Sequence, residues 1–117
     1  MTMVFILQNI GAAISFGLSL IAIFWPAKTE NFVSIKSLGK DGNSEVRATY
    51  GGFFLGIALF ALISQNATVF LVLGTGWLSA SFIRFLTLCF GFYTSKNLMG
   101  VFFEAIIGGL CITSIFF

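Results

Sequence analysis

Residues 67–91 read "ATVFLVLGTGWLSASFIRFLTLCFG", an apolar run whose single charge is Arg84. Roughly 20 mostly apolar residues in a helix cross the hydrocarbon of a bilayer, so this run is long enough to span one. Three runs of the same character surround it, at about 3–25, 45–65 and 98–117. Together the four occupy about three quarters of the chain.

Composition points the same way. Of 117 residues, 58% are hydrophobic and 9% charged, and mean hydropathy is +1.05. That leaves too little polar surface to clothe a soluble domain. The expected fold is all-α: one transmembrane domain over residues 1–117, an up-down four-helix bundle in the membrane. Residues 1–8 hold no Lys or Arg and the first apolar run continues to Trp25. The first run is therefore expected to stay as a span rather than act as a cleaved secretory signal. A net charge of +2 without any basic block gives no reason to expect nucleic acid.

The connections are unequal. Only Ser64, Gln65 and Asn66 separate the second and third runs, which implies a tight antiparallel hairpin. The third connection, around residues 94–97, is similarly short. The first runs from Pro26 to Ser44 and has room for a short helix lying on the membrane surface. There Thr29 would be the cap and Gly39 the stop, with Phe32, Ile35 and Leu38 on one stripe and Lys28, Lys36 and Lys40 available to headgroups. Lys28, Lys36, Lys40, Arg47 and Lys96 all fall in connections one and three. By the positive-inside rule those connections face the cytoplasm of a bacterial inner membrane, and both termini lie outside.

Depth then separates the ions. From the rise per residue, Arg84 lies roughly 7 Å from the middle of the third run and Glu104 roughly 5 Å from the middle of the fourth. Tyr50 falls at about 7 Å in the second run, and Glu45 and Arg47 at roughly 12–15 Å, near the edge of the hydrocarbon. A lone ion at a helix centre costs at least ~2.5–3.5 kcal/mol, so Arg84 is expected to pair with Glu104 inside the bundle, with Tyr50 donating nearby. Glu45 and Arg47 would form the wet rim of that pocket. Small residues share the ions' faces: Gly76 and Ala80 with Arg84, Gly108 with Glu104, and Gly52 and Gly56 beyond Tyr50. Gly11, Ser15 and Ser19 give the first helix a similar stripe without an ion, so that helix is expected to close the bundle.

Other chemistries fall away. There is no His, and no carboxylate cluster stands in for one, so no metal site or cofactor is expected. Cys89 and Cys111 sit roughly 20 Å apart in depth, too far to bridge, and are expected to act as small apolar residues. Ser and Thr are frequent but no base accompanies them.

One element is more specific. "EVRATYGG" at residues 45–52, together with Pro26 closing the first run, Leu38-Gly39 in the loop, a single Arg84 and a single Glu104, resembles the DUF4345 family of small bacterial four-helix membrane proteins. The resemblance covers almost the entire chain. It implies a four-helix bundle with a shared polar site and no established activity. Where that family often has an Asp-Gly pair after the third helix, this chain reads "GFYTSKN". Small multidrug exporters carry an acid in the first helix, which is missing here; the Gly-Thr-Thr-Ser stretch of fluoride channels and the paired cysteines of quinone-linked thiol oxidoreductases are missing too.

Two functional expectations follow. In one, Arg84, Glu104, Tyr50, Glu45 and Arg47 form an intramembrane pocket for a small amphipathic or anionic molecule or a membrane lipid. In the other, the ion pair serves helix packing alone. The protein is then an accessory or structural subunit, packed against itself as an oligomer or against a larger membrane complex.

Overall fold

The computed structural model describes residues 2–117; Met1 and the side chain of Thr2 lie outside the described residues. It is all-helical, with no strand among the described residues. The helices are α1 (Thr2–Phe24), α2 (Pro26–Val33), α3 (Gly39–Ser64), α4 (Ala67–Cys89) and α5 (Ser95–Cys111), with a closing 3-10 turn at Thr113–Ile115. Three of them, α1, α3 and α4, are long and apolar enough to cross a membrane. The fourth expected span is the exception. It starts at Ser95 instead of 98 and stops at Cys111 instead of 117, leaving 17 helical residues. By rise alone these cover roughly 25 Å, a little less than the ~30 Å of hydrocarbon.

Local chemistry sets most boundaries. Pro26 disfavours helical geometry at Trp25 and so ends α1, yet it suits the first position of α2, where an N–H would find no partner. The short helix of the first connection therefore begins three residues before Thr29. It ends at Ser34, whose φ of 61° is left-handed. Ile35 and Leu38 thus belong to the linker and not to a helical stripe. The Glu30 carboxylate holds that linker by accepting from the Ser37 N–H at 2.7 Å. Downstream, α3 begins at Gly39, well before the expected 45. Asn66 caps α4 by accepting from the Thr68 N–H at 2.9 Å, and Thr94 caps α5 by accepting from the Asn97 N–H at 3.0 Å. The third span closes at Cys89 rather than 91, and Gly91, at φ 105°, makes the turn.

Within α3 the stretch Arg47–Phe53 is wound as a π-helix. Such segments are rare and concentrate at functional sites. It coincides with the most distinctive element of the sequence, "RATYGGF". A Cβ on Gly51 would sit 2.4 Å from Ile23 Cγ1, so the π-segment lies hard against α1.

The closest helix pair is α4 with α5. A Cβ on Gly74 would fall 2.9 Å from the Gly108 carbonyl oxygen, and one on Gly108 would fall 2.9 Å from the Gly74 oxygen. Helix α1 packs on both α3 and α5, with Gly11 against Cys111 and with Ser15 and Ser19 fully buried. The packing order is therefore α3–α1–α5–α4. Helix α3 meets α4 mainly along Phe54–Ser64, near their shared turn, and the two part beyond it. An envelope of 45 × 32 × 16 Å, twice as wide as deep, reflects that spread. The core between the helices is small: Ala12, Ala58, Ala61, Phe70, Leu73 and Cys111. Most other large apolar side chains, including Phe53, Phe60, Phe82 and Phe102, point outward.

Candidate functional site

Arg84 comes from α4, five residues before its end, and Glu104 from the middle of α5. The antiparallel crossing at Gly74 and Gly108 brings them level. Arg84 Nε donates to Glu104 Oε1 at 2.8 Å and Nη2 to Glu104 Oε2 at 3.2 Å, a bidentate fork. Nη1 donates to Asn97 Oδ1 at 3.2 Å, and Asn97 itself donates from Nδ2 to the Phe92 carbonyl at 2.9 Å. The arginine stem crosses α5 at Gly100, where a Cβ would lie 2.9 Å from Arg84 Cδ and 3.0 Å from Nε. Asn97, Gly100 and Glu104 share one face of α5 at i, i+3, i+7, so the seat for the guanidinium is written into that helix.

The cluster is not closed. The Arg84 side chain is 30% exposed, against 13% for Glu104. A guanidinium has five N–H bonds and Arg84 uses three, so two have no partner among the described residues. Beside it Ser79, Ala80, Ile83 and Thr87 form an open face of α4. The Thr87 hydroxyl donates to the Arg84 carbonyl at 2.7 Å, which turns it back onto its own helix.

The remaining expected site residues are placed differently. Tyr50 lies on the π-segment and makes no hydrogen bond to the pair among the described residues. Glu45 accepts from Thr49 Oγ1 at 2.6 Å, one turn away on its own helix. Arg47 donates from Nη1 to the Ile23 carbonyl at 2.8 Å and from Nε to Asn43 Oδ1 at 2.9 Å, so it caps the C-terminal end of α1. Neither joins the Arg84 pair directly. Of the expected small-residue stripes, Gly108 and Gly11 do sit at close crossings, whereas Gly52, Gly56 and Gly76 have nothing within 4 Å of a built Cβ. The close approaches belong to their neighbours Gly51 and Gly74.

Asn97 is the residue that the sequence reading missed. Its signal was present as a polar residue one face-repeat before Glu104, hidden by its position in a short polar loop. Helix α5 is also tied to the first connection: near its start Lys96 Nζ donates to the Asn31 carbonyl, and further along Phe103 meets Phe32 edge-on at 5.3 Å. Among the described residues no group of three or more His, Cys, Asp or Glu side chains is placed to hold a metal, and both cysteines are free. Comparison with protein-family models, curated proteins and solved structures finds no match.

Proposed function

We propose that the chain is a four-span integral membrane protein, an up-down bundle of α1, α3, α4 and α5, whose Arg84–Glu104 cluster binds a small amphipathic or anionic molecule or a lipid. Three helices of spanning length support the membrane assignment, and the 17 residues of α5 fall at the lower limit of the roughly 17–25 that a span requires. The ligand assignment is carried by the incompleteness of the cluster. Glu104 and Asn97 hold Arg84 on one side, two of its N–H groups have no partner among the described residues, and Arg84 itself borders an open face of α4. Intramembrane ions carry a functional-site default, because an apolar pair packs two helices as well as an ion pair does.

In this proposal Tyr50 supplies the facing wall, and Glu45 and Arg47 mark the rim at the membrane edge. Helix α2 lies in the headgroup region, with Trp25 and Phe32 exposed and Lys28 stacked over the Trp25 ring at 5.7 Å. Lys36 and Lys40 reach the same layer. Connections one and three then face the cytoplasm of a bacterial inner membrane. The resemblance to the DUF4345 family agrees with the bundle and adds no activity.

In a second reading, an accessory or structural subunit in an oligomer or a larger membrane complex, the ion pair serves helix packing alone, and Gly100 favours that packing role. That glycine fits Arg84 into the helix contact itself. The two are separated by purifying the wild type and the Arg84→Leu/Glu104→Leu double variant in one detergent and extracting bound small molecules for mass spectrometry. The expected result is a molecule retained by the wild type and lost from an equally helical double variant. Equal complements of bound molecules would remove the pocket and leave the packing role.

A further inference from the structure

The open face beside Arg84 continues along α4. Val69, Val72, Gly76, Ala80, Ile83 and Thr87 recur at intervals of three and four, which places them on one stripe of the helix. At its lower end Val69 and Val72 form an apolar depression with Gly56, Ile57 and Phe60 of α3. At its upper end Ala80, Ile83 and Thr87 surround Arg84. Between the two, Gly76 has nothing within 4 Å of a built Cβ, and neither do Gly52 and Gly56 on α3. The packing explains the space. Helix α3 leaves α4 above Phe54, because its π-segment is drawn onto α1 through Gly51 and Ile23. A largely apolar channel therefore opens between α3 and α4 at Val69 and Val72, with Thr68 at its lower end, and continues along the open face of α4 to Arg84.

Charge decides which acceptor Arg84 takes. Glu104 already neutralises Arg84 through the bidentate fork. A second full anion would leave a net negative charge in low dielectric and would compete with Glu104 for the guanidinium. An uncharged oxygen acceptor uses the two remaining N–H groups without either cost.

Depth decides where the acceptor comes from. Arg84 lies five residues inside the end of α4, roughly 7 Å, and its Nη1 reaches toward Asn97 at the same end. A long arginine side chain in that position brings its head close to the hydrocarbon boundary, where the ester carbonyls of lipids lie. From there an acyl chain crossing one leaflet covers ~15 Å, about ten residues of helix, which carries it over Ala80 and Gly76 toward Val72.

Building on the assignment of the Arg84 cluster as a ligand site, we infer that the α3–α4 channel binds the acyl chain of a glycerolipid whose ester carbonyl accepts from the two free N–H groups of Arg84. The headgroup lies outside the channel and its charge is not read.

The test uses the wild-type protein in detergent and two probes: diester phosphatidylcholine and diether phosphatidylcholine of equal chain length. The diether lacks only the carbonyls. Native mass spectrometry of the protein–lipid complexes is expected to show the diester retained roughly tenfold or more over the diether, the size of a lost charge-assisted hydrogen bond. Free fatty acid at equal concentration is expected not to displace the diester. Ala80→Phe, at an exposed position of α4, is expected to keep the wild-type helix content and to abolish the preference. Equal retention of diester and diether overturns the carbonyl contact. Displacement by fatty acid overturns the uncharged acceptor and leaves the proposed anion-binding function standing. A diester preference that survives in Arg84→Leu/Glu104→Leu places the lipid elsewhere and overturns the inference, while the proposed site stands or falls on the comparison of copurified molecules.

Discussion

Gly74 and Gly108 face one another across α4 and α5 so closely that a Cβ on either would lie 2.9 Å from the other's carbonyl oxygen. In the proposed membrane setting, contact of this kind replaces the hydrophobic drive that lipid removes, since helices in a bilayer associate through packing and hydrogen bonds. Gly74→Ala is accordingly expected to lower stability by about 1–3 kcal/mol through overpacking. Gly76→Ala, two residues away and open, is expected to be neutral or to raise stability by up to about 1 kcal/mol through helix propensity. Thermal unfolding of both variants in detergent gives the comparison, and similar losses for the two would contradict the crossing point.

That pair also shows where the sequence stops being informative. The rough extent of the three helices of spanning length follows from long apolar runs, whereas the fourth run yields a shorter helix and the caps at Asn66 and Thr94 are not anticipated. Rotational phase does not. A helix apolar on nearly every side gives no amphipathic stripe to fix which glycine turns inward, so Gly76 and Gly74 are equivalent in sequence and opposite in the fold. Arg84 and Glu104 escape this ambiguity, because in the proposed membrane setting the cost of a lone ion in hydrocarbon favours their pairing. Glu45 finds a partner one turn away on its own helix and Arg47 reaches the end of α1, so neither depends on the Arg84 pair. The π-segment was unreadable, since nothing in "RATYGGF" distinguishes a π turn from an α turn before Gly51 meets Ile23.

A second prediction concerns the turn between α3 and α4. Asn9 Nδ2 donates to Gln65 Oε1 at 3.0 Å and Gln65 Nε2 donates back to Asn9 Oδ1 at 2.7 Å, so two amides clasp α1 to the turn. Gln65 holds a left-handed φ of 53° to make this contact. Asn9→Ala is expected to cost about 1 kcal/mol, and Gln65→Gly less, because glycine relieves the backbone while losing the clasp. A double-mutant cycle on Asn9→Ala and Gln65→Ala should return a coupling of about 0.5–1 kcal/mol in unfolding experiments. Additive losses would mean that the amides do not act as a pair.

Topology is testable by labelling. A cysteine replacing Lys40, placed in the Cys89→Ser/Cys111→Ser background, is expected to react with a membrane-impermeant maleimide only after the inner leaflet is opened. One replacing Thr2 is expected to react from outside. The direction rests on the concentration of Lys28, Lys36, Lys40, Arg47 and Lys96 at one end of the helices. Reversed labelling would invert the orientation and with it the leaflet that Arg84 faces.

The ion pair allows the energetic question to be put directly. Arg84→Leu removes the cation and strips Glu104, 13% exposed, of both hydrogen bonds of the fork. A sealed pair broken in this way costs ~3–5 kcal/mol; the 30% exposure of Arg84 admits some screening, so about 2–3 kcal/mol is expected here. Adding Glu104→Leu deletes the stranded carboxylate and fills the space with apolar atoms, which should recover all but about 1 kcal/mol. Asn97→Ala, which removes the third acceptor but leaves the fork intact, is expected to cost only about 1 kcal/mol. Chemical or thermal unfolding in one detergent measures all three. If the double variant stays as unstable as Arg84→Leu alone, the loss comes from the arginine stem over Gly100, and the pair itself contributes little to holding α4 against α5.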